Sequence, residues 1–265
     1  MDEPYRSRFI ELVRRGAASR DMHDTDGRGS YDSEGGSVVS ERFIEREVRR
    51  AQQHAGSLCL PLADRLGSAS IILDVGCGTG GTTVALALSS LAPRETTGID
   101  VSMAAIRAAR VRAQGHGIDP GRVRFMHVAA GHPLPFADGY FDLVTCVSVL
   151  EFIGDPSSRE ALVAEMLRVA RPGGYLYIAT PSPIRLHDLH SHRWLGDWRR
   201  DPGYPWSSTG ASLRRMLGDC RVESLAPRRV RLHPRLKRVA WAVPAISWAL
   251  PWQRLLARKP EAVKH

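Results

Sequence analysis

The chain has 265 residues, enough for one large α/β domain with a sizeable core, and its 43% hydrophobic and 25% charged composition is that of an ordinary soluble globular protein. Four scattered cysteines (Cys59, Cys77, Cys146, Cys220) with no C-x-x-C pair exclude a disulfide scaffold and a cysteine-rich zinc module, and fit a reducing cytoplasm. The net charge of +9 belongs to the end of the chain: residues 227–265 hold ten Arg or Lys and one acid, and the rest balances to zero. A basic nucleic-acid-binding face over the whole domain is therefore not indicated.

Met1-Asp2-Glu3-Pro4 is acidic where a signal or transit peptide would be basic, so the mature, cytoplasmic protein is expected to start here. Tyr5, Phe9, Leu12 and Val13 predict a helix over 4–15, and a second helix follows from about Ser40 to His54. Between them, residues 19–37 are polar and Gly-rich, which suggests a mobile segment. We take residues 1–55 as N-terminal helices with a lid segment and 56–265 as the main domain. Strands are expected near 70–75, 95–100, 123–128, 141–147 and 174–180, alternating with helices, the pattern of a parallel sheet covered on both faces. Ser102 caps the helix after the second strand. Ser157 and Glu160 have capping-box spacing before the helix that carries Leu162, Met166 and Val169, and Thr209 starts another that ends at Gly218.

The sharpest signal is Ile71-Ile72-Leu73-Asp74-Val75-Gly76-Cys77-Gly78-Thr79-Gly80-Gly81, a strand running into glycines and then into a helix. Glycines let the backbone turn sharply and touch a ligand, and free N–H groups at the following helix suit an anionic group. Asp100, at the next strand end, can accept two hydrogen bonds from a ribose. Gly76, Gly78 and Gly81 also satisfy G-x-G-x-x-G, which keeps NAD as a rival at this point.

Four ordered stretches over about 70–180 resemble the class I S-adenosylmethionine-dependent methyltransferases, particularly the ubiquinone and menaquinone branch. They are Leu73–Gly80, Gly98-Ile99-Asp100-Val101-Ser102, Leu134-Pro135-Phe136 through Phe141-Asp142-Leu143-Val144, and Leu167-Arg168 through Pro172-Gly173-Gly174. The resemblance implies a doubly wound, Rossmann-like, seven-stranded mixed sheet with helices on both faces, an N-terminal helical lid and an aromatic cap after the fifth strand. It implies S-adenosylmethionine as cofactor, with Asp74 and the glycines at its methionine portion and Asp100 at its ribose. The cofactor set it assigns is Asp74, Gly76, Cys77, Gly78, Gly80, Asp100, Val101, Met103, Ala129, Ala130 and Cys146. Relatives usually place an acid at Ala130 for the adenine amino group, so adenine here relies on backbone, on Met103 and its neighbours, or on His132. Neither the third nor the fourth stretch belongs to an NAD-dependent dehydrogenase, which becomes the least favoured reading.

Methyl transfer from a sulfonium requires alignment and exclusion of water, and proton removal only for some acceptors. The histidine that many relatives carry after the fourth strand is replaced by Phe152, leaving Glu151 with either a structural or a catalytic role. Residues 181–208 hold three histidines and three tryptophans. They form the acceptor cap, with His187 or His190 as the candidate base. The spacing of His187, His190 and His192 hints at a metal, but with one carboxylate nearby the expectation is none.

Residues 228–238 are basic and 239–253 uncharged; fifteen residues with two prolines are too short to span a bilayer, which needs about twenty. Strands at Arg221–Leu225 and Gln253–Arg258 are expected to close the sheet as an antiparallel pair, with the apolar run packed as an insertion. Peripheral membrane contact through 228–258 and a homodimer contact stay open. The expected function is methyl transfer to a small aromatic or lipophilic acceptor, natural-product or quinone-like. The alternatives are a cofactor-binding protein with non-methylation chemistry and a membrane-surface lipid methyltransferase.

Overall fold

A computed structural model describes residues 1–18, 41–63, 66, 71–181, 208–225 and 252–262. At its centre is strand β1 (Ile71–Val75), an apolar run flanked by β2 (Glu95–Asp100) on one side and β4 (Phe141–Val147) on the other, both parallel to it. β3 (Val123–His127) lies outside β2, and β5 (Ala170–Pro181) outside β4. β7 (Trp252–Arg258) runs antiparallel between β5 and β6 (Arg221–Ser224), so the seven strands lie in the order β3-β2-β1-β4-β5-β7-β6. The closing antiparallel pair falls where the sequence puts it. Successive strands step outward from β1 in one direction and then, from β4, in the other. The carboxyl ends of β1 and β4 thus flank a topological switch point, where ligands of such sheets bind.

Helices cover both faces. α4 (Gly81–Ala87) and α5 (Met103–Gly115) follow β1 and β2, and α6 (Pro156–Val169) and α7 (Gly210–Met216) form the other layer. Ser102 caps α5, its hydroxyl accepting from Ala105 N, and Thr209 caps α7 in the same way through Ser212 N. The cap of α6 is a correction: Asp155, not Ser157, occupies that position. Its carboxylate accepts from Ser158 N at 2.8 Å and from the Ser157 and Ser158 hydroxyls. An Asp ahead of Pro156 at the first helical position outranks a serine two residues later.

The N-terminal helices α1 (Glu3–Ala18) and α2 (Glu41–His54) pack on α5 and α4. Phe9 and Val13 are completely enclosed against Ile44, Ala108 and Val111, and the burial of Phe9 and of Val13 contributes about 1.5–3 kcal/mol apiece. A π-helical turn (Ala55–Cys59) and the short α3 (Leu60–Ala63) carry Leu58, Cys59 and Leu62 into the core beside Ile72, Leu86 and Tyr177. The expected lid segment of residues 19–37, nearly all of the 181–208 cap and residues 226–251 lie outside the described residues. No helix among the described residues is long and apolar enough to cross a membrane.

The third and fourth family-like stretches turn out to hold each other. Arg168 donates to the carbonyls of Leu134 (2.9 Å) and Phe136 (2.8 Å), to Asp138 (2.7 Å) and to Glu165, which also accepts from Leu134 N (2.7 Å). Arg171 donates to Asp142 at 2.6 Å, and the other oxygen of Asp142 accepts from Ile71 N at 2.7 Å. Gly173 and Gly174 let β5 bulge, its pairing with β4 stepping from Phe141↔Ala170 to Leu143↔Tyr175: Gly173 has φ +71°, and a Cβ on Gly174 would lie 2.8 Å from Arg171 O. These motifs shape the connection into β4 and the start of β5, not the chemistry.

Candidate functional site

The turn after β1 adopts a left-handed conformation at every second residue, with φ +67° at Gly76, +52° at Gly78 and +79° at Gly80, a sequence of angles that side chains disfavour. Gly80 is also pressed by α5, since a Cβ there would lie 2.9 Å from Ala109 Cβ and 3.1 Å from the Phe125 ring. A Cβ on Gly78 would meet nothing within 4 Å, so the turn has open space at its crest. Inside the turn, Cys77 N donates to Ile99 O and Gly80 N to Cys77 O, both at 2.9 Å.

Two carboxylates serve this turn from different sides. Asp100, at the end of β2, accepts from Gly78 N through Oδ2 and from Ser102 N through Oδ1, both at 2.8 Å. Each oxygen keeps a further lone-pair site for a hydroxyl donor. Burial raises its pKa, while the N–H groups of Ser102 and Gly78 oppose that shift. Asp74 is enclosed, 1% exposed, and accepts from the hydroxyls of Thr83 (2.6 Å) and Thr145 (2.8 Å). Its carboxylate thus ties β1, β4 and α4 together beneath the turn. Burial lifts its pKa to about 6 against the two threonine hydrogen bonds.

The remaining sequence-predicted residues divide by burial. Val101 is 43% exposed, Met103 half-buried, and Ala129 and Ala130 exposed. Val128 N donates to Asp100 O at 3.0 Å, which sets the segment leaving β3, with its two exposed alanines, beside the end of β2. Cys77 and Cys146 are buried, and burial pushes both thiols well above their ordinary pKa, so neither is a nucleophile. Glu151 sits in a 3₁₀ turn (Leu150–Phe152), completely enclosed, and accepts from the Thr180 hydroxyl at 3.0 Å, joining the turn after β4 to the end of β5. His187 and His190 lie outside the described residues. Among the described residues, no group of three or more His, Cys, Asp or Glu is arranged to hold a metal.

Sequence reasoning missed the polar face of α2. Glu47 accepts from the Thr79 hydroxyl at 2.8 Å, and His54 Nδ1 lies 2.6 Å from the Thr82 hydroxyl. A Cβ on Gly81 would lie 2.6 Å from the aliphatic stem of Arg50, so this glycine admits a helix, not a ligand. The enclosed Arg112 of α5 donates to Thr79 O at 2.7 Å. A signal existed: Glu47 falls three residues after Ile44 and four before Ala51, and Arg112 continues the Ala105, Ala108, Ala109 face. Both charges occupy core positions of amphipathic helices. A separate cavity of about 230 Å³ opens near Glu95 and Arg124, at the opposite ends of β2 and β3 from this turn.

Residues 73–178 match the family described as a methyltransferase domain. A ubiquinone biosynthesis O-methyltransferase of Thiobacillus denitrificans is 37% identical over 111 residues, 41% of this chain and 43% of that protein. A probable methyltransferase of Aspergillus luteorubrus is 34% identical over 170 residues, 61% of this chain and 57% of that one. The chain spans about half the length of these curated relatives. Among solved structures, an S-adenosylmethionine-dependent methyltransferase from Methanosarcina mazei superposes with a TM-score of 0.51 at 25% identity, over 77% of this chain and 99% of that one. The matched span begins in β1 and ends in β5, enclosing the glycine turn and both of its acids, and over these residues the chain is similar to methyltransferase domains.

Proposed function

We propose that this chain transfers a methyl group from S-adenosylmethionine to a small aromatic or lipophilic acceptor, natural-product or quinone-like in character. The observation that carries the reading is Asp100: its carboxylate is already oriented by Gly78 N and Ser102 N and retains acceptor sites for two ribose hydroxyls. The open crest at Gly78 and the exposed apolar side chains of Val101, Ala129 and Ala130 fit the rest of an adenosyl group. When bound, the cofactor supplies an electrophilic methyl carbon on a positively charged sulfur. The chain's own part is to orient that group, hold the acceptor in line and exclude water. A phenolic acceptor must lose a proton, for which we assign His187 or His190 of the 181–208 connection.

A second reading, a cofactor-bound reaction without methyl transfer such as a cyclisation or decarboxylation, draws on one observation. Glu151 is enclosed and Phe152 stands where many relatives carry a histidine, so the turn after β4 offers no accessible base.

The test is calorimetric titration with S-adenosylmethionine, S-adenosylhomocysteine and NADH, alongside Asp100→Ala, followed by mass spectrometry of phenol and quinol panels incubated with methyl-labelled cofactor. Binding of both sulfur compounds, weakened in the variant and with NADH silent, together with label in a phenol or quinol, is the expected result. Binding without label transfer to any aromatic or lipophilic acceptor favours the second reading. Silence toward both sulfur compounds overturns both readings.

A further inference from the structure

We infer that Glu47 and Arg112 are positioning residues for the cofactor turn, acting through Thr79, so that the N-terminal helix pair is a working part of the cofactor site. Thr79 lies between the left-handed glycines Gly78 and Gly80 and is 5% exposed. Its hydroxyl donates to Glu47 Oε2 at 2.8 Å and accepts from Arg112 Nη2 at 3.1 Å, while its carbonyl accepts from Arg112 Nε at 2.7 Å. Arg112 Nη2 also donates to the Glu47 carbonyl at 2.7 Å, the guanidinium carbon lies 4.3 Å from the centre of the Phe9 ring, and Arg50 pairs with Glu47. One residue of the turn is therefore held at both its hydroxyl and its carbonyl by groups from α2 and α5, with α1 closing over them.

Attaching two helices to a domain does not need this. Burying a carboxylate and a guanidinium is expensive, and the apolar contacts of Phe9, Val13 and Ile44 already dock the pair. What the polar cluster adds is a single conformation for a segment that glycine leaves free. Fixing the Thr79 peptide fixes its neighbour Gly78, whose N–H meets Asp100 at 2.8 Å. The line of contacts thus runs from α2 through Thr79 and Gly78 to the carboxylate assigned to the ribose. A ligand that meets this turn does not have to order it, which is where preorganisation strengthens binding.

The inference rests on the cofactor reading and is tested so that the two can fail separately. Thr79→Val removes the hydroxyl and keeps the shape, Thr79→Ser restores it, Glu47→Gln discharges the helix side, and Val169→Ala, at the buried last residue of α6, is the control for general destabilisation. Each is measured for S-adenosylhomocysteine affinity by calorimetry, for melting temperature, and for amide hydrogen exchange at residues 78–80 without cofactor. Thr79→Val and Glu47→Gln are expected to weaken binding by about tenfold or more and to speed exchange at the turn. Thr79→Ser is expected to match the parent, and Val169→Ala to lower the melting temperature with affinity unchanged. Parental affinity and exchange in both Thr79→Val and Glu47→Gln overturn the inference. So does a loss of affinity that merely tracks melting temperature as in the control. A parent protein that binds no S-adenosylhomocysteine overturns the cofactor reading instead, and the exchange data then decide whether Glu47 and Arg112 order the turn.

Discussion

The Val149 side chain closes over the α-carbon of Gly76. A Cβ built on that glycine would lie 2.2 Å from Val149 Cγ2 and 3.1 Å from Cγ1, so both methyls block it. The first residue of the turn is thus pinned twice, by a φ of +67° and by the element that follows β4. Gly76→Ala must either leave the left-handed region or push Val149 away, and each displaces the turn from Asp100. We expect S-adenosylhomocysteine affinity to fall by about tenfold or more, with Val149→Ala in the Gly76→Ala background recovering part of the loss. If the double variant binds no better than the single one, crowding at Val149 is not the cause and the backbone angle alone is.

Asp100 holds the turn through Gly78 N, and under the function proposed above it also accepts from a ligand. Asp100→Asn turns a donor toward one of two N–H groups, so it is expected to weaken cofactor binding by about tenfold or more, and Asp100→Ala further. Because burial raises the Asp100 pKa, affinity in the parent is expected to start falling at a higher pH than an ordinary carboxylate would dictate. Calorimetry from pH 7 downward checks this. A flat profile through the acid range would show that the charge on Asp100 is not what the ligand reads.

The sheet was largely legible in the sequence because its central strands are runs rich in aliphatic and β-branched residues with clear ends, Gly76 after β1, Asp100 closing β2 and Pro181 closing β5, and runs of that kind have few other uses in a chain of this size. Asp100 was legible for a similar reason: its place at a strand end follows from the alternation itself. What stayed hidden were relationships between distant segments. Arg168 and Arg171 read as members of a motif, yet their work is to hold residues 134–142. Gly81 read as part of a ligand-binding cluster, yet it clears room for Arg50. For Asp74 the resemblance implied a place at the cofactor; no sign in the sequence marked Thr83 and Thr145, nine and seventy-one residues away, as donors to its carboxylate. Linear spacing carries no record of which face of a strand looks at a helix arriving from elsewhere, and that is what decided these cases.

Asp74 also makes folding stability depend on pH. Its folded-state pKa, about 6, lies above the ordinary 3.8 because burial penalises the charge. The folded state therefore holds the proton more tightly than the unfolded chain, so this group's stabilisation is fully present below pH 3.8 and lost as pH rises through about 6. The loss is of the order of 1–3 kcal/mol. Asp74→Asn stays neutral throughout, and the threonine hydroxyls can reverse to accept from its amide. Urea unfolding at intervals from pH 4 to 7 is expected to show the variant gaining on the parent as pH rises, and at pH 7 to be at least as stable. Parallel curves for the two proteins would mean that Asp74 is not the group responsible.

Ser148, immediately after β4, has a φ of +59°, one of two non-glycine residues with a positive φ among those described. Its N–H donates to Ala179 O at 2.9 Å, which anchors the peptide just before Val149 crosses over Gly76. A side chain held in that region costs about 1–2 kcal/mol, and it persists only where the surroundings over-determine it. Ser148→Gly removes the strain but makes the unfolded chain more flexible by about 0.5–1 kcal/mol, so the two effects nearly cancel and stability should change little. Ser148→Val adds a branched side chain that tolerates the angle worst, and is expected to lose about 2 kcal/mol or more and to weaken S-adenosylhomocysteine binding as Val149 shifts. Urea unfolding and calorimetry on the two variants separate the possibilities. Equal stability for Ser148→Val and Ser148→Gly would mean that the backbone at 148 relaxes freely, and with it would go the argument that this residue sets the position of Val149 over the turn.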